Sequence, residues 1–380
     1  MAVKLNVDKP ETPPVGAALG REVFPDCTAP AERSLRGQGP LPQKHPQDRA
    51  RLWGLTGLLL AILLLSGCAT PLQTRDLLRE PPDELPRQVE LDQTPFHPQE
   101  LYQCGPAALA TVLGARGLLV HPDDLVDEVY VPERQGSLQT EMLAAARARG
   151  LVVYVIEPRM ETLLKEVAAG HPVLVFQNLG LNAFPYWHYA VVIGFDLDQE
   201  EIILRSGTIH RHVTRMPVFE RTWRRGDYWA FVVQPPGQLP ATAQPLRWLR
   251  AANALEATGQ LTTAATAYRT ATQQWPDHPV AWIGLGNTLY ALEDHNGAEQ
   301  AFRQLIQRNP EAHAAWNNLA HVLHARGCNT QALEAVTCAL RMAPNESFYQ
   351  RTLETVTASP DAQPQDNTCL PLLCPTEAHQ

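Results

Sequence analysis

Cys104 stands directly before Gly105-Pro106 and the alanine-rich run Ala107-Ala108-Leu109-Ala110-Thr111-Val112-Leu113. A proline is tolerated in the first turn of a helix, where its missing N–H removes no bond. The spacing therefore predicts a helix that begins at this cysteine. A thiol placed there meets unsatisfied backbone donors and the positive end of the helix dipole, and both favour a thiolate. Gln99, five residues upstream, carries an amide able to donate to an oxyanion at the same place. A cysteine nucleophile also needs a base. His188 in "PYWHYAVVIGFD" is the candidate, because the apolar strand that follows would hold its imidazole at a sheet edge.

The run "HYAVVIGFDLDQEEIILRSGT" reads as a hairpin turning near Leu197 to Gln199, which returns Ser206 to Thr208 to the neighbourhood of His188. Asp196 lies eight residues along the first strand, roughly 26 Å away at ~3.3 Å per residue. The hydroxyl of Ser206 or Thr208 is therefore left to orient the ring. His171 in "GHPVLVF" reads as a loop residue ahead of a core strand. His210 and His212 alternate on a strand with no cysteine or carboxylate pair nearby, which suits a solvated edge better than a metal site. His97 is close enough to Gln99 to line the same cleft. No glycine-rich phosphate loop or metal-ligand cluster is visible, and no cofactor is implied.

The elements that must position these residues fall between 91 and 236. Apolar helical patterns cover 105–116, 137–149 and 160–169. Short β-rich runs ("LVVYVIE", "PVLVFQ", "HYAVVIGFD", "EIILRSG", "YWAFVVQ") then dominate. Helices first and an antiparallel sheet after is an α+β domain. A linker at 237–244 leads to 245–358, where Trp248, Trp282 and Trp316 are spaced by 34 residues. Ala264, Ala298 and Ala332 keep that period, as do Pro276, Pro310 and Pro344. The pattern resembles the tetratricopeptide repeat: three helix pairs that bury their apolar faces only by stacking, with a capping helix at 345–358. Such arrays commonly offer a concave face to a protein partner. Cys328 and Cys338 read as structural residues of the third repeat. The polar, Pro-rich tail 359–380 reads as disordered, and its Cys369 and Cys374 could pair with each other or stay idle.

The first 48 residues lack sustained periodicity and read as disordered or as a mis-assigned extension. Arg49 and Arg51 then precede an apolar run from about Leu55 to Leu65, too short for a comfortable transmembrane helix and of signal-peptide length. It ends in Leu65-Ser66-Gly67-Cys68, which resembles the lipobox of bacterial lipoproteins. That resemblance implies a signal peptide at 49–68, lipidation of Cys68, a linker at 69–90, and an outer-membrane anchor facing the periplasm. A short membrane anchor or an uncleaved signal is the alternative. The formal net charge of -9 and the lack of a basic stripe argue against a nucleic-acid partner.

Gln99, the run Cys104 to Leu109, and the run His188 to Asp196 together resemble the bacteriocin-processing (double-glycine) cysteine peptidases, cysteine peptidase family thirty-nine. The resemblance implies a papain-like fold with Cys104 as nucleophile, His188 as general base and acid, and Gln99 as oxyanion donor. That family usually places an Asp followed by Pro at the end of the next strand to orient the histidine. Here the matching place reads Arg205-Ser206-Gly207. A hydroxyl accepts a hydrogen bond from the imidazole but adds little charge stabilisation to imidazolium. The expected function is a membrane-anchored periplasmic cysteine peptidase that acts on a peptide or protein substrate recruited by its repeats. The alternatives are a catalytically degenerate scaffold lipoprotein and a thiol-dependent acyltransferase or amidase.

Overall fold

The computed structural model describes residues 70–98, 103–134, 136–358 and 369–375. The expected disordered extension, signal peptide, Cys68 and Gln99 lie outside these residues. Among the described residues no helix is long and apolar enough to cross a membrane. From Pro71 onward the chain forms one compact unit.

Runs of β-branched residues build an antiparallel sheet. Its strands are β4 (Val152–Val155), β5 (Val173–Asn178), β6 (Trp187–Asp196), β7 (Glu201–Ser206), β8 (Ile209–Arg215) and β9 (Ala230–Gln234). They lie in the order β4-β9-β5-β6-β7-β8, and β1 (Gln88–Glu90) pairs with the far end of β6. A two-stranded ribbon of β2 (Tyr130–Val131) and β3 (Gly136–Ser137) stands apart. Strand β6 is buried from His188 to Phe195, and its unbroken apolar run follows from that, because both sheet faces are covered. One face receives α2 (Cys104–Gly114), α3 (Asp123–Val129) and α4 (Gln139–Ala148). There Leu109, Val112 and Leu113 pack on Leu174, Tyr189, Val191 and Ile193. The other face receives α1 (Leu72–Arg79), α5 (Met160–Ala168) and α6 (Met216–Arg224). Leu163, Leu164, Phe219 and Trp223 cover Val175, Ala190 and Val192 there.

Three helix pairs follow: α7 (Pro245–Ala257) with α8 (Leu261–Gln274), α9 (Pro279–Ala291) with α10 (His295–Arg308), and α11 (His313–Ala325) with α12 (Asn329–Met342). Helix α13 (Ser347–Thr357) caps them. Ala264, Ala298 and Ala332 are fully buried where paired helices approach. Gly286 is needed for the same reason, since a Cβ there would overlap the Phe302 ring. The indole N–H of Trp282 donates to the Pro276 carbonyl at 2.6 Å, and that of Trp316 to the Pro310 carbonyl at 2.8 Å. The proline that ends one repeat is thus tied to the tryptophan that opens the next. Trp248 has no such proline before it and donates to the Ala267 carbonyl at 2.9 Å instead.

Three expectations need correction. Residues 70–90 are not a linker, because α1 and β1 are folded onto the domain. Buried Glu220 accepts the backbone N–H of Thr74 and its hydroxyl, each at 2.6 Å, and satisfies free donors of the first helical turn. Residues 237–244 are equally fixed. Buried Glu166 accepts the N–H groups of Ala241 and Thr242 at 3.1 and 2.7 Å and lies 2.7 Å from His171 Nδ1. The apolar cluster beneath the sheet runs on through Trp248 and Leu249 into the repeats. Residues 369–375 of the tail expected to be disordered are also pinned: Cys369 pairs with Cys328 and Cys374 with Cys338, not with each other, with Cα separations of 5.6 and 5.8 Å. Arg303 on α10 donates to the Leu370 carbonyl at 3.0 Å.

Iodoacetamide added without reductant should alkylate Cys104 and spare Cys328, Cys338, Cys369 and Cys374, as read by mass spectrometry. Reduction should release those four thiols and lower the unfolding temperature, since each crosslink contributes about 2–4 kcal/mol. An unchanged temperature after full reduction would contradict the pinned tail.

Candidate active site

Helix α2 opens at Cys104, and its first intrahelical bond runs from the Ala107 N–H to the Gln103 carbonyl at 3.1 Å. The N–H groups of Cys104 and Gly105 are left over from the helical pattern. Both point at the Cys104 thiol, as does the backbone N–H of Tyr189 on β6. Burial raises the thiol pKa above its ordinary value, and these three donors only partly offset it. Gly105 cannot be larger, because a Cβ would overlap the Ser137 side chain on β3.

His188 is the second residue of β6, opposite Gln177 of β5. Its Nε2 lies 2.8 Å from Ser206 Oγ. Ser206 ends β7 at a register shift, and Gly207 at φ 60° turns the chain into β8. The neighbouring Arg205 is buried, and its guanidinium donates to the carbonyls of Asp92, Thr94 and His210. That cation holds down residues 92–94, the segment leading toward Gln99. Burial pushes the His188 pKa down to about 4, and the His212 imidazole adds to the effect. Near neutral pH the resting thiol and imidazole are therefore both uncharged.

Cys104 and His188 are joined through the backbone of residue 189; no direct hydrogen bond links the two side chains. Apo geometry of this kind commonly tightens only when substrate binds. Asp196 caps the β6–β7 turn instead, accepting the N–H groups of Asp198 and Gln199 at 2.9 Å. His97 meets His121 edge-on at 6.3 Å, and His210 Nδ1 lies 3.2 Å from Arg205. Among the described residues no group of three or more His, Cys, Asp or Glu could hold a metal ion.

Sequence reasoning missed Tyr189 and Ser137. The phenol of Tyr189 donates to the Ser137 carbonyl at 3.0 Å, fastening β3 to the histidine strand. The Ser137 hydroxyl is buried without a partner beside Gly105. Strand alternation would have placed Tyr189 on the α2 face. Gly136-Ser137 ahead of a helical run gave no sign beyond a helix start.

The pKa shift of His188 carries a stability cost in acid. The unfolded chain takes up that proton near pH 6.5, whereas the folded chain resists it until about pH 4. Between those values the unfolded state binds more protons, so stability falls as pH falls. His321 on α11, half-buried and also pushed down to about 4, adds with the same sign. The urea unfolding free energy should drop between pH 7 and 4.5 by ~2 kcal/mol for each histidine. His188→Gln should remove one such contribution, and an identical pH slope in that variant would contradict the buried neutral imidazole.

The sequence comparisons fit this arrangement. The Peptidase_C39 like family matches residues 84–227, and the Tetratricopeptide repeat family matches 249–303 and 284–347. Among solved structures, a putative C39-like peptidase from Bacillus anthracis is 20% identical, with a TM-score of 0.33. That match covers 39% of this chain and 98% of that one. The first TPR of Spaghetti (RPAP3), bound to an HSP90 peptide, is 16% identical over 30% of this chain and 91% of its own, with a TM-score of 0.29. No curated protein matches the chain. The chain thus carries an α+β domain that resembles the C39-like peptidases, followed by a helical array that matches the tetratricopeptide repeat.

Proposed function

We propose that the protein is a cysteine peptidase whose nucleophile is Cys104. The observation that carries this reading is the fate of the cysteines. Four of the five described ones are locked in two disulfides, and the one left free sits at a helix N-terminus beside the histidine strand. In an oxidising compartment, where structural disulfides persist, an unpaired thiol in such a place suits chemistry better than packing.

Ser206 occupies Nε2 of His188, so Nδ1 is the nitrogen available to the thiol proton. As sulfur attacks the peptide carbonyl, that proton passes to Nδ1 and the carbonyl becomes an oxyanion. The free N–H groups at the start of α2, with the Gln99 amide, stabilise it. Collapse breaks the C–N bond, and the imidazolium returns its proton to the leaving amine. Water, deprotonated by the same ring, then cleaves the thioester and restores the thiol. The two disulfides support a periplasmic site of action, and the lipobox-like Leu65-Ser66-Gly67-Cys68 supports a lipid anchor in the outer membrane. The repeats would present a protein partner to the catalytic domain from their concave face. A second reading, a degenerate scaffold, is favoured by Ser206 standing where a carboxylate would stabilise imidazolium.

Hydrolysis of a mixed peptide pool by the full chain decides between them. The peptidase reading expects cleavage that Cys104→Ala abolishes and His188→Ala lowers by at least ~10³-fold, in line with the loss of a nucleophile–base unit. Cleavage that survives Cys104→Ala would overturn it, and no cleavage by any form favours the scaffold. Ser206→Asp should raise the pKa of His188 through the added negative charge. The acid limb of kcat/KM, expected near pH 4 in the parent, should then move upward. A limb that stays in place would separate Ser206 from the imidazole.

A further inference from the structure

We propose that the hairpin joining β5 to β6 is a docking surface for apolar side chains of the polypeptide substrate, which it holds beside Cys104. The inference rests on the peptidase reading and adds the substrate's chemical character to it. Within the nine-residue stretch Leu179 to Trp187, five large apolar side chains face solvent. Leu179 is 44% exposed, Leu181 68%, Phe184 81%, Tyr186 65% and Trp187 48%. Soluble proteins scatter such residues singly, and a contiguous group marks an interaction site. The stretch contains no charged residue, so its occupant is apolar.

The hairpin is rigid. Buried Asn178 accepts the N–H groups of Gly180 and Tyr186 through Oδ1, each at 2.9 Å. The Leu179 N–H donates to the Tyr186 carbonyl at 2.8 Å, and Leu181 and Phe184 form a bridge. Gly180 lies against the backbone of Phe184 and Tyr186, where any Cβ would collide. Arg225 Nε fastens the base through the Asn178 carbonyl at 3.1 Å. Side chains held in this way lose little entropy when a ligand covers them.

An aromatic floor connects this surface to the nucleophile. Trp187 stacks on Phe176 with ring centroids 5.0 Å apart, and Phe176 meets Tyr189 at 4.7 Å. Trp229 lies edge-on to both. Phe176, Trp229 and Cys104 pack against the same apolar cluster, and the Tyr189 N–H reaches the thiol. This continuity favours a substrate chain over a bilayer as the occupant, because a polypeptide lying on the floor leads to Cys104.

The test uses full-length Cys104→Ala protein, which binds without cleaving, and two short fluorescein-labelled peptides that differ only in carrying Leu and Phe or Ser. Anisotropy should show the Leu/Phe peptide bound at least ~10-fold tighter. The triple variant Leu181→Ser/Phe184→Ser/Tyr186→Ser should lose most of that preference, and with Cys104 restored it should raise KM more than it lowers kcat. An unchanged unfolding temperature and iodoacetamide rate would certify the fold. A triple variant that keeps the peptide preference overturns the inference. So does one that loses only its binding to phosphatidylethanolamine–phosphatidylglycerol vesicles, which would make the hairpin a membrane contact. Selective binding without hydrolysis by the parent sinks the peptidase reading and leaves this surface standing.

Discussion

Strand β6 is hydrogen-bonded to β5 on one side and to β7 on the other, and helices cover both of its faces. A slip of one residue would turn every side chain to the wrong face, so its register is fixed by the whole core. Three features of the site follow from that register. His188 falls at the strand's open end, the Tyr189 N–H falls at the thiol, and β7 runs out at Ser206 within reach of the ring. Cys104 arrives separately, on a helix buried from Gly105 to Leu113. Ser137 and Tyr189 lock that helix to the strand. A chain without the sheet would hold the thiol and the imidazole on unrelated segments.

Burial gives this pair its electrostatic character. Removing the ring and the thiol from water disfavours both charges, and a serine hydroxyl supplies less compensation than a carboxylate would. The site therefore rests as a neutral thiol and a neutral imidazole near neutral pH.

Much of this was legible in the sequence, and the failures share a cause. The 34-residue period of tryptophan, alanine and proline announced the repeats, because each copy must bury the same face. The Gly-Pro after Cys104 announced the helix start, and the hairpin reflection brought Ser206 toward His188. Polar, proline-rich spans at 69–90 and 237–244 looked like linkers, but each is anchored by one distant buried carboxylate, Glu220 or Glu166. No local pattern reveals such an acceptor. The disulfide connectivity was hidden for a similar reason. Four cysteines allow three pairings, and the choice was made by where the tail lies across α10 and α12.

The central claim is that Cys104 forms a covalent bond to a substrate acyl group with His188 as its proton acceptor. The most direct measurement is mass spectrometry of the full chain quenched in acid milliseconds after mixing with an activated peptide ester. The account predicts an acyl adduct on the peptide containing Cys104, formed quickly in the parent and far more slowly in His188→Ala. No adduct, an adduct on another residue, or acylation at the same rate without His188 would contradict it.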